Sequence, residues 1–276
     1  MWMCGFPVMH QDKYLKVLVQ KYNRRVALCE EFAQPRESFD SILSKPTYER
    51  RVARILTPGT LIDEAFLNPY ENNFLLSIST ENHTLLEDSS DSESTQSYGL
   101  AWIDVSTGEF FTRSTDFYSL RNHIVRISPG EIVIPKEFEA KTEHPLQLLL
   151  KELEYPLSYV SDTIHQPELI SDEVNDDIVN DNASPVSSSV FSPPETSAIA
   201  ILNNFLQASL MDHAPQTLRP VREEKSRRMQ IDAHTLKSLE IRENIREGGV
   251  SGSLMNSIKR TVTESGTRLL ARWLCK

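Results

Sequence analysis

Three acids and one run of arginines are the residues of this chain whose types and spacing could do chemistry. Asp104 lies near the end of an apolar stretch, and Glu109 and Asp116 are the next acids after it. Carboxylates gathered around two metal ions about 4 Å apart can activate water against a phosphodiester. A purely local role competes with this, because Asp104 precedes Val105-Ser106-Thr107-Gly108 and its side chain suits hydrogen bonding within that turn. Arg50, Arg51 and Arg54 end a segment holding ten Lys and Arg from Lys13 onward. Guanidinium groups so placed suit the phosphates of a nucleic-acid backbone, which position a duplex without reading its sequence. A solvated strand edge is the other reading of the same residues. His10, His83, His123, His144, His165, His213 and His234 stand singly, and Cys4, Cys29 and Cys275 are far apart, so no metal-ligand spacing is seen.

The elements that must position these residues follow from period and turn chemistry. Tyr98 to Ser114 (YGLAWIDVSTGEFFTRS) reads as two strands joined at Ser106-Thr107-Gly108, with Gly108 in the left-handed conformation that a side chain resists. Asn73 to Ser79 offers a third strand. Phe117, Leu120, Ile124 and Ile127 mark one face of a helix that Pro129-Gly130 stops. Glu131 to Pro135 is then a short buried strand, Pro145 to Leu153 a second helix and Leu157 to Val160 a further strand. Ser192-Pro193-Pro194-Glu195 combines a capping box with proline at the first helical position, opening a helix that includes Ala198 to Leu210. Three meandering strands followed by alternating helix and strand predict an α/β (α+β) class with a mixed sheet, in the order of ribonuclease-H-like folds.

Both flanks read as parts of something larger. Upstream, Tyr14, Leu15, Leu18, Val19 and Tyr22 recur at helical spacing opposite Lys13, Lys16 and Lys21. Arg25 to Phe32 and Arg50 to Thr57 read as strands, and Thr57-Pro58-Gly59-Thr60 as a type II turn. Downstream, Ala214 to Met229 reads as a connection, and Asp232 caps a helix running to about Arg246 and closed by Gly248-Gly249. Thr261 to Glu264 forms a second capping box, starting a helix with Leu269, Leu270, Trp273 and Leu274 on it. An apolar face that includes tryptophan implies a neighbour, so the expectation is a chain truncated at this point.

Composition narrows the class. With 276 residues, 39% hydrophobic and 25% charged, the chain has the make-up of a soluble globular protein of two or more domains, and no apolar run reaches the roughly 20 residues of a membrane span. The net charge of −10 is unevenly spread: thirteen acids and no Lys or Arg fall in the two tracts Glu81–Ser97 and Asp162–Ser197, which leaves the remainder at +3. Both tracts are rich in Ser and Asn and read as solvated insertions, so the packed body is mildly basic and compatible with a polyanion.

Three segments together resemble one family, the MutS DNA mismatch repair proteins. GFPVMHQDKYLKVLVQKYNRRVALCEEF with RRVARILTPGTLIDE is similar to the second half of the mismatch-binding domain, from Gly5 onward. YGLAWIDVSTGEFF resembles the opening hairpin of the ribonuclease-H-like connector domain, and IDAHTLKSLEI with SIKRTVTESGTRLLARWL the start of the helical core, or lever, domain. The resemblance divides the chain into residues 1–70, a partial mismatch-binding domain, 71–212, a connector with acidic insertions 81–97 and 162–192, and 213–276, the start of the helical domain. LTPGTLIDEAFLNPYENNFLL looks most like the fungal mitochondrial branch, which implies a mitochondrial protein, with the nucleus as the alternative; no transit peptide is visible.

The resemblance implies binding of double-stranded DNA with mismatches or small loops by a clamp-shaped dimer with a MutS-type partner, contacts with other repair factors through the connector, and no membrane. Met3, Arg50, Arg51 and Arg54 fall in the parts that it places beside DNA. ATP and Mg2+ are implied for a full-length member, but none of the nine glycines here opens the G-x-x-x-x-G-K-[ST] loop that holds phosphates, and the Phe-x-Glu wedge of the family would precede Gly5. The expectation is therefore a family fragment that holds no cofactor or metal and is not an enzyme by itself. A metal-dependent ribonuclease-H-like nuclease built on Asp104, and a protein interaction module, are the alternatives.

Overall fold

The computed structural model describes residues 5–33, 48–63, 66–68, 72–80, 97–141, 143–161, 191–211, 219–223, 233–241, 243–246 and 248–274. The acidic tracts lie almost wholly outside these residues. A short 3-10 turn at Val8–His10 leads into α1 (Gln11–Lys16), and a π-helical turn, Val17–Lys21, continues it. Strands β1 (Val26–Ala33) and β2 (Tyr48–Leu56) then pair antiparallel as a two-stranded sheet. Leu15 and Val19 pack with Leu56, Leu61, Phe66 and Leu67 into a small core. The predicted apolar face of the helix is only partly used: Tyr14, Leu18 and Tyr22 are exposed. Just one i, i+4 pair meets the sheet, and two strands offer a narrow surface to cover.

The central unit contains β3 (Phe74–Thr80), β4 (Ser97–Asp104), β5 (Glu109–Asp116), α2 (Phe117–Ile127), β6 (Glu131–Pro135), α3 (Glu137–Ala140), α4 (Pro145–Leu153), β7 (Leu157–Val160) and α5 (Pro193–Leu210). A sixth strand, β8 (Val221–Arg222), comes from the stretch expected to be a connection, and the sheet runs β7-β6-β3-β4-β5-β8. The β3-β4-β5 meander is antiparallel, while β6, β7 and β8 lie parallel to their neighbours. Alternation along β3 fills both faces: Leu76 and Ile78 meet α2, α3 and α4 through Leu120, Phe138 and Leu146, whereas Leu75 meets Leu202 and Phe205 of α5. Gly108 has φ +73°, as the turn requires. The predicted capping box is present, with Ser192 and Glu195 bonding reciprocally.

The third unit departs from expectation. In place of one helix to Arg246, α6 (Ala233–Ser238) ends early, Glu240 takes φ +48°, and an unexpected helix, α7 (Leu254–Ile258), precedes the predicted one, α8 (Glu264–Leu274). The break has a tertiary cause, because the carbonyls of Glu240 and Ile241 accept the amides of Leu254 and Met255 that open α7. Thr263, not Thr261, caps α8, its hydroxyl accepting from Gly266 N at 3.1 Å. Thr267, Arg268 and Ala271 are buried, while Leu269 and Trp273 are exposed. No described helix is long and apolar enough to cross a membrane.

Two polar clusters fix the edges of the sheet. At one end, the buried Glu131 begins β6 and accepts from Thr57 Oγ1 at 2.5 Å, from Gly59 N at 2.9 Å and from Ser158 Oγ. Asn73 Nδ2 holds Pro58 O at 2.9 Å beside it. The turn after β2 thereby docks on the sheet, but it is not type II, since Gly59 lacks a positive φ. Glycine is needed here for space: a Cβ would sit 2.6 Å from Leu75 Cδ1 and 2.9 Å from Glu131 Cβ.

At the other end, Glu223 just after β8 accepts from Arg126 Nη2 at 2.5 Å and Arg113 Nη1 at 3.3 Å. Burial alone would raise the Glu223 carboxyl, but the two guanidiniums together hold it below its usual range. Burial pushes the imidazole of His123 down to about 4, with Arg113 and Arg126 adding to the effect.

Two expectations follow. Glu131→Leu strands three buried donors and should lower unfolding free energy in urea by about 3 kcal/mol or more, with Glu131→Gln milder and Gly59→Ala costing about 1–3 kcal/mol. Because His123 stays neutral in the folded chain, its stabilising effect is complete above about pH 6.5 and falls as the pH drops toward about 4, on the order of 3 kcal/mol in all. Glu223 loses its own stabilising effect only below its ordinary value of 4.5. His123→Leu should therefore flatten the pH dependence of stability between about pH 6.5 and 5.

Candidate nucleic-acid interface

Arg50, Arg51 and Arg54 all fall on β2, but the pleat and a bulge separate them. Adjacent residues of a strand point to opposite faces, so Arg50 and Arg51 cannot share one. The register pairs Leu28 with Arg54 and Cys29 with Val52, which leaves Ala53 as the extra residue and puts Arg51 and Arg54 on the same side. Arg50 is exposed and grips Glu31 through Nη2 at 2.6 Å and Nε at 2.8 Å. The guanidinium of Arg51 lies 3.8 Å from the ring centroid of Phe32, a cation–π stack on the opposite face. Arg54 is half-buried, its Nη2 2.9 Å from Asp63 Oδ2.

These settings differ in what they permit. An exposed pair such as Arg50 with Glu31 is worth at most about 1 kcal/mol, so a phosphate can displace the carboxylate at small cost. The Arg51 guanidinium stacks on the Phe32 ring, which presents it on the face opposite Arg50. Arg54 is shielded by the local core and tied to the segment after the Thr57–Thr60 turn, which suits a structural role. The helix before β1 adds Lys13, Lys16 and Lys21 to the exposed surface, together with Phe6 stacked on Tyr14 at 4.8 Å and the bare side chains of Val8 and Met9. Met3 lies outside the described residues.

The acidic residues considered for metal chemistry are not gathered. Asp104 is buried, and its Oδ1 accepts from Ser106 N at 3.0 Å and Ser106 Oγ at 2.6 Å, which spends it on the turn. Glu109 faces it across the hairpin, while Asp116 stands at the far end of β5, where it caps α2. Among the described residues no group of three His, Cys, Asp or Glu side chains could hold a metal ion.

The residues that sequence reasoning missed are those of the Glu131 cluster, which bonds the turn after the arginine-bearing hairpin to the sheet. An acid opening the otherwise apolar strand EIVIP was the available signal. Its partners Thr57 and Gly59 lie more than seventy positions earlier and were read only as a turn.

Comparison with known proteins adds the family. The sequence pattern described as MutS domain I matches residues 1–65, MutS domain II residues 73–217 and MutS domain III residues 234–276. A DNA mismatch repair protein MutS from Bartonella henselae is 33% identical over 270 residues, and one from Bartonella quintana 33% identical over 276. Each alignment covers 97% of this chain but only 28% of the relative, so the chain spans little more than a quarter of the length of the proteins it matches. With one domain pattern matching just over half of the chain, and the other two flanking it in the same order, the chain belongs to the MutS family.

Proposed function

We propose that this chain supplies the duplex-contacting hairpin and the connector of a MutS-type DNA mismatch repair protein, acting on DNA with mispairs or small loops. The observation that carries this reading is the arginine-bearing hairpin: Arg50 and Arg51 project from opposite faces of a two-stranded sheet whose base is fixed to the central unit by Glu131. A backbone-contacting element has to be both cationic and rigidly presented. Further support comes from the names of the Bartonella relatives and from the mildly basic body outside the acidic tracts.

A MutS-type dimer partner and other repair factors complete the reading, the latter meeting the connector. Its strand order, an antiparallel meander extended by parallel strands beside β3, supports a ribonuclease-H-like scaffold. ATP and Mg2+ do not fit the residues present, since no glycine opens a phosphate loop and no described acidic cluster could take the metal. On this reading they belong to the parts of the relatives that this chain does not match. Placement in the fungal mitochondrial branch rests on the LTPGTLIDEAFLNPYENNFLL segment, and imaging a tagged parent protein in the nucleus alone would overturn it.

The hairpin is tested by anisotropy titration of a labelled mismatched duplex with the full chain at several salt concentrations. Arg50→Ala and Arg51→Ala should each lower the slope of log K against log salt by about 1, whereas Arg54→Ala should reduce stability and leave the slope unchanged. A triple variant with the native slope would remove the hairpin from the interface.

A further inference from the structure

Two buried groups of opposite charge meet where the helical unit touches the sheet. Arg268 of α8 is 5% exposed and Asp104 at the end of β4 is 1% exposed. They form no direct ion pair, and the Ser106 side chain stands between them. Ser106 Oγ has one proton and gives it to Asp104 Oδ1 at 2.6 Å, so it meets Arg268 Nη1, 3.4 Å away, as an acceptor. The second contact is at the long limit for a hydrogen bond. Beyond it, each group keeps one buried atom without a partner among the described residues, Oδ2 on Asp104 and Nε on Arg268.

A half-satisfied charge pair in a buried contact is costly, and the two orphaned atoms are complementary, a carboxylate acceptor and a guanidinium donor. Around Arg268, α8 is held by the buried Ala271, the half-buried Leu270 and Leu274 and its packing on α7, and little of that is polar. Thr267 bonds within its own segment, to Thr263 O at 3.1 Å and Thr261 Oγ1 at 2.7 Å, Ala271 is small, and Leu269 and Trp273 face outward. We propose that Arg268 and Asp104 are the two halves of a latch between α8 and the β4–β5 turn. Ser106 spaces them in the state described here, and a short movement of α8 brings guanidinium and carboxylate together directly. The two positions give the helical unit two discrete seats on the connector, with a charge pair to distinguish them.

Spin labels at Tyr118→Cys on α2 and Val262→Cys ahead of α8, both strongly exposed sites, report the distance between the two units in the full chain with its native cysteines changed to serine. The native chain should give a narrow distribution. Ser106→Ala, which removes the spacer, should shift it by a few ångströms and keep it narrow. Asp104→Asn retains the amide oxygen that serves the turn, and Arg268→Gln retains a polar head; each should broaden the distribution about twofold, and the double variant no further. Arg268→Lys, which keeps the charge, should stay close to native. Unchanged distributions in the two single variants, or broadening that adds in the double variant, would overturn the latch.

Discussion

A carboxylate buried without a counter-charge organises this molecule. Among the described residues Glu131 is met by neutral donors, a threonine hydroxyl and a glycine amide from one turn and a serine hydroxyl from β7, so that donors and acceptor come from three separate parts of the chain. A buried carboxyl group is costly unless it is hydrogen-bonded, so losing any of the three donors weakens the arrangement. Their joint arrival fixes the turn after β2, the start of β6 and the start of β7 relative to one another. A two-stranded hairpin is marginal by itself. Here its base is fixed, and the small core of Leu15, Val19 and Leu56 has only to hold α1 against it.

The opposite edge of the sheet solves the same problem with the reverse charge balance. Two arginines converge on Glu223, which keeps that carboxylate ionised and drags β8 into register beside β5. His123, packed within the same region, is kept neutral first by burial and then by the nearby Arg113 and Arg126. Hydroxyl and amide donors, by contrast, bring no charge to the Glu131 end. Between the two edges, the sheet is buried on both faces, with α2, α3 and α4 on one side and α5 on the other.

Local rules were legible in the sequence, and distant partners were not. The β4–β5 turn, the caps of α5 and the strands of the meander depend on residues within a few positions of one another, and their patterns sufficed. The helix expected through Arg246 failed because carbonyls of Glu240 and Ile241 are needed by α7, a demand arising from beyond the segment that carries the helical pattern. Gly59 was assigned to the right turn for the wrong reason, since what excludes a side chain is Leu75 and Glu131, not backbone conformation. The arginines were visible as a cluster, but a one-residue bulge at Ala53 decided which of them share a face. Sequence spacing alone carries no record of such a bulge.

The consequence for the hairpin is that charge and placement come from different residues. Arg50 and Arg51 supply positive potential, yet a strand free to pivot would spread that potential over many orientations and lose most of its positioning value. What limits the pivot is the set of neutral hydrogen bonds around Glu131, together with the Asn73–Pro58 bond and the packing of β2 against α5, none of which depends on either arginine. A substitution that loosens Glu131 therefore acts on the hairpin without altering its charge. Long-range electrostatic attraction survives such a change, because it depends on net charge, whereas register on a duplex depends on the fixed angle between hairpin and sheet.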